Sequence, residues 1–337
     1  MMQDLPLSAE IIAKIKTFGQ VRDIVPMNAG GSGRTYFRVF FDQGKFETLI
    51  LVKNKDAHEN QCFVNLAKKL IQIPINVPKI HFFDQEFYYL QEDLGDKTLL
   101  NSVLEHSPKV KDYYKKTLED LVKFQIQGNE LINEEDFFTH KNFNKTLVYR
   151  DLFGFKNYFL DLSQQVYAED KLLTDFDTLA DSIENAKYQF LMYRDLQGRN
   201  VMLHNENIYF IDFQGAMRGA CAYDVVSLLW QAKANLSPEL RQKLLNFYIS
   251  ELKKVIPNFD ENTFLNEFNT CLILRLLQVL GVYGRLGWIY KKEHFLSSIS
   301  LGIKNLEELQ NLSLIKNSLA LKDIFKNLNK TKTINPL

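Results

Sequence analysis

The 337-residue sequence has no excess charge of either sign, because 41 basic residues balance 41 acidic ones. A general nucleic-acid-binding protein carries a basic excess, so the composition argues against nucleic acid as a partner. Cysteine is also scarce: Cys62, Cys221 and Cys271 lie far apart and lack the spacing of metal ligands. We therefore expect three buried thiols in a reducing compartment.

The sequence also lacks a recognisable membrane segment. Its N-terminus has no basic region followed by an apolar core, so no signal peptide is expected. The most apolar long window, residues 271–290, contains Arg275, Gln278 and Arg285, which is typical of a buried helix and not of a membrane span. These absences predict a cytoplasmic protein without a membrane partner, and they leave the oligomeric state open.

The sequence contains enough apolar residues to build two lobes, since 46% of its residues are hydrophobic. A chain of this length rarely folds around a single hydrophobic core. Strand patterns and a helix at about 56–70 fill residues 1–93, whereas helical patterns dominate residues 94–326. We predict an α+β bilobal fold with a small antiparallel sheet, a larger helical lobe, a cleft between them and a polar tail at 327–337. The helices predicted in the second lobe are 108–128, 145–166, 171–188, 222–235, 237–255, 261–290 and 301–325, and the only strands predicted there are 201–203 and 208–211.

The segment 193–214 carries the strongest functional signal. Asp195 and Asn200 are five positions apart, and Asp212 follows twelve positions later, beyond a strand-like hairpin. Phosphoryl transfer from ATP needs this set, because one carboxylate orients the attacking hydroxyl while a carboxamide and a second carboxylate hold Mg²⁺. We predict that Asp195 is the catalytic base and that Asn200 and Asp212 are the metal ligands. Arg199 is a candidate catalytic residue that either contacts phosphate or braces the loop.

A glycine-rich turn between the first two predicted strands is a second candidate site. Glycine lets backbone N–H groups approach phosphate oxygens, and no helix follows the turn, which argues against a Rossmann or Walker loop. An ordinary hairpin turn is the alternative. The residues expected to contact the nucleotide phosphates are Gly31, Ser32, Gly33 and Arg34.

Lys53 ends the third predicted strand, and we expect its amine to point into the cleft near the α- and β-phosphates. Glu59, on the following helix, is expected to hold Lys53 extended through an ion pair. Glu92 marks the connection between the lobes, where backbone groups are expected to bind the adenine edge. The alternatives are a surface lysine at a strand end and a solvated glutamate.

With these motifs in place, the chain resembles the aminoglycoside phosphotransferase-like and choline-kinase-like branch of the protein-kinase-like fold. The segment 211–214, followed by Tyr223 and Asp224, is typical of this branch, whereas the Phe-Gly and Ala-Pro-Glu segments of protein kinases are missing. The shorter stretches that resemble bacterial anomeric kinases of N-acetylmuramate and N-acetylglucosamine are 31–38, 92–95, 150–155 and 275–283. The resemblance implies a small-molecule kinase that uses ATP and Mg²⁺.

The substrate side departs from that pattern. Tyr193 stands where most relatives carry His, and Asp151 and Gln278 stand where Glu and Lys are expected. On a continuous helix Arg275, Gln278 and Arg285 fall within one face. They either pair with acidic residues or bind the hydroxyls, acyl carbonyl or carboxylate of a sugar. We expect these three residues and Asp151 at the substrate site.

An amino sugar is the substrate that the sequence favours, because no dense acidic cluster for a cationic aminoglycoside is visible near the C-terminus. An aminoglycoside, a choline-like alcohol or a modified nucleoside is the alternative within kinases. A nucleotide-sensing module without turnover is the alternative outside enzymes.

Overall fold

A computed structural model describes residues 7–27 and 33–328. Its first part is a five-stranded antiparallel sheet in the order β1-β2-β3-β5-β4. The strands of this sheet are β1 (Gly19–Met27), β2 (Thr35–Gly44), β3 (Thr48–Lys53), β4 (Ile80–Phe83) and β5 (Tyr88–Glu92). Two helices accompany it, α1 (Ala9–Lys16) and α2 (Ala57–Leu70). The predicted sheet with one long helix is confirmed.

The rest of the described chain is mainly helical, as predicted. Its helices are α3 (Leu99–Leu104), α4 (Val110–Leu131), α5 (Lys145–Phe155), α6 (Glu169–Glu184), α7 (Ala222–Leu229), α8 (Pro238–Val255), α9 (Glu261–Tyr283), α10 (Glu293–Glu307), α11 (Ser313–Lys316) and α12 (Leu321–Asn327). Its strands are β6 (Gln189–Met192), β7 (Val201–His204), β8 (Asn207–Phe210) and β9 (Met217–Ala220).

Alternation along β3 gives the sheet two different faces. Leu49 and Leu51 pack in a small core with α1, whereas Ile50 and Val52 belong to the main core with α2. Side chains two positions apart share a face, so this parity fixes where the end of the strand points. The main core continues from the α2 face of the sheet into the helical part without interruption.

Helix α2 connects the sheet to the site region. Its first turn is capped by Asp56, whose carboxylate accepts the backbone N–H of Glu59 at 3.0 Å. Farther along, the ring of Phe63 stacks on Phe213, with centroids 4.9 Å apart. The helix therefore contacts the residue that directly follows Asp212.

The helical part contains a strand pair that the sequence did not predict. Strands β6 and β9 pair antiparallel, with Gln189 opposite Ala220 and Met192 opposite Met217. Each strand is only four residues long. Adjacent residues are buried in both strands, namely Leu191 and Met192 in β6 and Gly219 and Ala220 in β9, so no period-two pattern marks either strand. The hairpin of β7 and β8 was predicted and is confirmed.

The helices predicted at 222–235 and 261–290 end earlier in the structure, at Leu229 and Tyr283, and two others differ more. The helix predicted at 145–166 is α-helical only to Phe155, where a π-helical turn takes over as far as Leu160. The helix predicted at 301–325 begins eight residues earlier, at Glu293, and ends at Glu307. Short turns and two short helices replace its second half.

Among the described residues, one helical stretch is long and apolar enough to cross a membrane. It runs over Glu261–Ile289, and 61% of its apolar window is buried inside the protein. Leu274 and Leu277 are fully buried in the main core. The stretch is thus built into the protein interior, as expected for a central helix.

Candidate active site

A cavity of about 720 Å³ lies between the sheet and the helical part. It brings together the three groups with predicted roles in phosphoryl transfer, Asp195, Asn200 and Asp212. Other residues that line it are Met27, Arg34, Tyr36, Phe63, Tyr89, Gln91, Arg199, Gln214, Trp230, Lys233, Arg275, Gln278, Val279, Val282, Tyr283, Leu286, His294 and Phe295. The cavity therefore joins a mixed polar and aromatic wall on the sheet side to a partly apolar wall on the helical side.

The turn that carries Asp195 is fixed from below by a buried carboxylate. Asp224, near the start of α7, accepts the backbone N–H groups of Tyr193 and Arg194 at 2.8 and 2.9 Å. Gln125 donates a third hydrogen bond to it at 3.0 Å. Burial raises the pKa of Asp224 to about 6, against the effect of these hydrogen bonds. Arg194 adopts a φ of 75°, so the backbone turns sharply and leaves the next side chain, Asp195, exposed.

Tyr193 links the catalytic loop to the strand end before Asp212. Its ring is buried between Phe124 and Phe210, and its hydroxyl donates to the backbone carbonyl of Ile211. Burial raises the pKa of Tyr193 well above that of an ordinary phenol, so the hydroxyl stays protonated and can donate. The tyrosine at the position of the expected histidine thus still braces the backbone here.

Asn200 and Asp212 both present oxygen atoms to the cavity. The amide nitrogen of Asn200 donates to the carbonyl of Asp195 at 2.9 Å, which leaves the amide oxygen for another partner. Asp212 lies in the left-handed region, with φ 64° and ψ 34°, and its carboxylate accepts from Gln214 at 2.8 Å. No cluster of three or more His, Cys, Asp or Glu side chains suited to a metal occurs among the described residues. The pair suits a hard cation that takes its remaining ligands from phosphate and water.

Arg34 is the cation that lies beside Asp212 in the structure. Its guanidinium donates to Glu59 at 2.7 Å and lies 3.6 Å from the carboxylate of Asp212. The side chain is 2% exposed, and its Nε has no hydrogen-bond partner. Glu59 also accepts from Asn54 at 2.6 Å. The predicted ion pair of the helix glutamate therefore forms with Arg34, from the start of β2.

The predicted orientation of Lys53 is wrong. By strand alternation Lys53 shares the face of Leu49 and Leu51, which is the α1 face and not the cavity face. Its amine lies 5.4 Å from the ring centroid of Tyr88, which belongs to the same small core. Residues 49–52 are all buried, so the sequence showed no alternation from which the parity could be read.

The side chain and the N–H of Glu92 are both engaged within the sheet, and the predicted adenine contact at this connection stays a prediction. Its carboxylate accepts the backbone N–H of Lys79 at 3.2 Å, and its own N–H donates to the carbonyl of Lys79 at 2.9 Å. The neighbouring Gln91 points the other way, lines the cavity and has a buried Oε1 without a partner. Tyr89 and Gln91 are two positions apart on β5, so their side chains lie on the same face of the sheet. This alternation was the sequence signal that could have identified Gln91 as facing the cavity.

The predicted phosphate loop is described only at its end. Gly31 and Ser32 lie outside the described residues. Gly33 is exposed, and a Cβ built on it would meet no atom of the described residues within 4 Å. Arg34, the last residue of the predicted loop, lines the cavity.

Only part of the face predicted on α9 lines the cavity, and its contact with a substrate stays a prediction. Arg275 and Gln278 line the cavity, and Arg275 donates to Gln278 at 2.9 Å and to the hydroxyl of Tyr223 at 3.3 Å. Arg285 does not line it; its guanidinium lies 5.8 Å from the ring centroid of Tyr158. The α-helix ends at Tyr283 and continues as a π-helical turn, which changes the angular position of every later side chain.

Asp151 lies beside Asp195 at a second, smaller cavity of about 360 Å³. Asp195 and Gln278 line this cavity too. The carboxylate of Asp151 accepts from the buried guanidinium of Arg194, which also stacks over the ring of Phe143 at 4.3 Å. Because this carboxylate is already paired, its contact with a substrate stays a prediction.

The chain is similar in sequence to a known family of enzymes. A model of the family described as phosphotransferase enzyme family matches residues 23–257. An N-acetylmuramate/N-acetylglucosamine kinase of Pseudomonas aeruginosa is 24% identical over 297 residues, which cover 85% of this chain and 83% of that protein. The kinase of the same name from Neisseria meningitidis is 25% identical, over 78% of each chain.

Solved structures agree at the level of the fold. A choline kinase from Cryptosporidium parvum superposes with a TM-score of 0.63 at 12% identity, covering 91% of this chain and 98% of that one. The aminoglycoside phosphotransferase APH(2")-IIa, in a ternary complex with streptomycin and ATP, gives 0.55 at 16% identity, over 89% and 97% of the two chains. The predicted bilobal, kinase-like α+β fold is therefore confirmed.

Proposed function

Because the chain belongs to the phosphotransferase enzyme family and is a small-molecule kinase, we propose that it moves the γ-phosphate of ATP to a hydroxyl of an amino sugar. N-acetylmuramate and N-acetylglucosamine are the sugars favoured, because the curated relatives carry both in their names. The observation that carries the proposal is the presence of Asp195, Asn200 and Asp212 on one cavity. We place the enzyme in the cytoplasm, where ATP is available.

Asp195 is the proposed base. Its carboxylate is exposed at the cavity, while Asp224 holds the two preceding backbone N–H groups. A carboxylate at this point orients the sugar hydroxyl and takes up its proton as the new O–P bond forms. Because the backbone is fixed before substrate binds, little reorganisation accompanies the proton transfer.

The oxygen atoms of Asn200 and Asp212 are the proposed ligands of Mg²⁺. When bound, the metal supplies charge neutralisation on the transferring phosphate. The amide nitrogen of Asn200 is engaged within the loop itself, which leaves its oxygen for the metal at the cavity that it lines with Asp212. Two protein ligands suffice for a cation that retains water and phosphate oxygens.

Arg34 is the proposed phosphate-binding cation. A guanidinium held by Glu59 presents fixed donors, and such donors stabilise charge where it develops in the transition state. Among the described residues that line the cavity, six buried side-chain atoms have no hydrogen-bond partner, and Arg34 Nε, Gln91 Oε1 and Gln214 Oε1 are three of them. Unpartnered buried polar atoms are costly, so their position supports a polar ligand such as a nucleotide in this part of the cavity.

A panel of acceptors tests the proposal directly. We would measure ADP release from Mg·ATP with N-acetylated amino sugars, aminoglycosides and choline-like alcohols, using Asp195→Asn as the control. Turnover on N-acetylated sugars that is lost in the variant is the expected result. ATP binding without turnover on any compound would instead support a nucleotide-sensing role, and turnover only on aminoglycosides would replace the proposed substrate.

A further inference from the structure

Three cationic or basic side chains surround the helical end of the cavity. Arg199 comes from the catalytic loop, Lys233 from the connection between α7 and α8, and His294 from the first turn of α10, and all three line the cavity. We refer to them as the cationic rim. They come from three separate segments of the chain, so the fold itself assembles them.

The cationic rim has no acidic counterpart. Asp195 and Asp212 are the only acidic residues among the described residues that line the cavity, and both have roles in phosphoryl transfer. Neither Arg199 nor Lys233 forms an ion pair with any described residue. Unpaired cations that converge on a cavity attract an anionic ligand.

Lys233 and Arg199 both act electrostatically on His294. Slight desolvation lowers the pKa of His294, and the positive charges of Lys233, Lys292 and Arg199 lower it further. The lowered pKa favours the neutral imidazole, which can hydrogen-bond a ligand, while the lysine and the arginine supply the charge.

An apolar wall stands beside the rim. Val282, Leu286 and Phe295 line the same part of the cavity, on α9, the π-helical turn and α10. A ligand that fits both features carries a small apolar group close to a negative charge. The phosphates of the nucleotide do not fit this description, and the cation proposed for them, Arg34, lies on the sheet side.

We propose that the cationic rim binds a carboxylate carried by the acceptor sugar. The inference rests on the proposed function, since it names the form of amino sugar that this site takes. N-acetylmuramate differs from N-acetylglucosamine by an ether-linked lactate, whose methyl group and ionised carboxylate match the apolar wall and the rim. The enzyme accordingly prefers the acidic sugar over the neutral one.

The inference is tested by whether Lys233 lowers KM for a charged acceptor more than KM for an uncharged one. We would determine KM for N-acetylmuramate and for its uncharged methyl ester with the wild type and with Lys233→Gln. Lys233 is exposed, so its removal raises KM for the carboxylate form about threefold to tenfold more than KM for the ester. Lys233→Glu reverses the charge and lowers the preference further.

A matched control separates a local contact from net charge. Lys243→Gln removes the same charge from an exposed position on α8 that does not line the cavity, and it leaves both KM values as in the wild type. An equal rise in both KM values for Lys233→Gln would overturn the inference. A lower KM for N-acetylglucosamine 6-phosphate than for N-acetylmuramate would overturn the choice of a carboxylate.

A binding measurement distinguishes failure of this inference from failure of the proposed function. Trp230 lines the cavity, so its fluorescence reports on ligands there without turnover. If no sugar is phosphorylated, the proposed function fails. In that case, quenching by N-acetylmuramate that weakens in Lys233→Gln still supports the carboxylate site, and the absence of quenching overturns it.

Discussion

The two ends of the cavity are built in opposite ways. At the end that carries Asp195 and Asp212, buried groups such as Asp224 and Tyr193 hold the backbone through specific hydrogen bonds. At the other end, the cationic rim consists of side chains without ion pairs among the described residues. The groups proposed to react are therefore held in place before any ligand binds, whereas the end proposed to bind the acceptor keeps its charges unpaired. Changes at the first end should therefore lower kcat, and changes at the second should alter KM for the acceptor.

Asp212→Asn is expected to have the largest effect. It keeps the shape of the side chain but removes the charge proposed to hold Mg²⁺, so kcat should fall by at least about 10²-fold. Measuring turnover against Mg²⁺ concentration should also show a higher requirement for the metal. Unchanged kcat with an unchanged Mg²⁺ requirement would remove Asp212 from the proposed metal site.

Arg34→Gln and Lys53→Ala form a matched pair of charge removals. Loss of Arg34 should lower kcat/KM for ATP about 10- to 100-fold, as expected for lost hydrogen bonds to charged groups. Lys53, on the opposite face of the sheet, should change it by less than about twofold. Thermal midpoints of both variants show whether folding contributes. A larger loss for Lys53→Ala would restore the lysine to the site.

Tyr193→Phe sharpens the comparison at the fixed end. The variant keeps the buried ring but removes the hydroxyl that donates to the carbonyl of Ile211. We expect a loss of about 1 kcal/mol in the free energy of unfolding. We also expect kcat to fall about tenfold with little change in KM for ATP, because the brace positions groups and does not contact substrate. A change in KM alone would contradict that role.

The last expected effect falls on stability and not on turnover, as a pH dependence from Asp224. Its folded-state pKa, about 6, lies above the ordinary value of 3.8, so the folded state binds the proton more tightly than the unfolded state. The stability that this group contributes is therefore present at low pH and is lost as pH rises from about 4 to 6. Urea unfolding of wild type and Asp224→Asn should show the wild-type advantage shrinking over this window. A growing advantage would contradict the raised pKa.

Local patterns predicted that Asp195, Asn200 and Asp212 lie together, because they fall within one short segment. Asp195, Asn200 and Asp212 fall on a hairpin whose geometry is set by neighbours in sequence. The hydrogen bonds of Asp224 to the catalytic turn span 30 and 31 positions, and no local pattern reveals such a contact. The sequence marks Tyr223 and Asp224 as part of a family signature, but it does not show that Asp224 holds the backbone of the turn before Asp195.

The errors have equally specific causes. Burial on both faces of β3 removed the alternation that would have placed Lys53 correctly. A π-helical turn, which side-chain spacing does not predict, moved Arg285 off the cavity face. The convergence of Arg199, Lys233 and His294 depends on tertiary structure, since these residues span 95 positions of the chain.

The stack of Phe63 on Phe213 has a consequence for how the protein folds. The main core runs from Ile50 and Val52 through α2 into the helical part, so the sheet buries much of its apolar surface against the rest of the chain. A fragment cut at residue 93 would expose that surface and should not fold alone. The two lobes differ in shape, but they share one core and should unfold together. The whole chain should therefore melt in a single calorimetric transition.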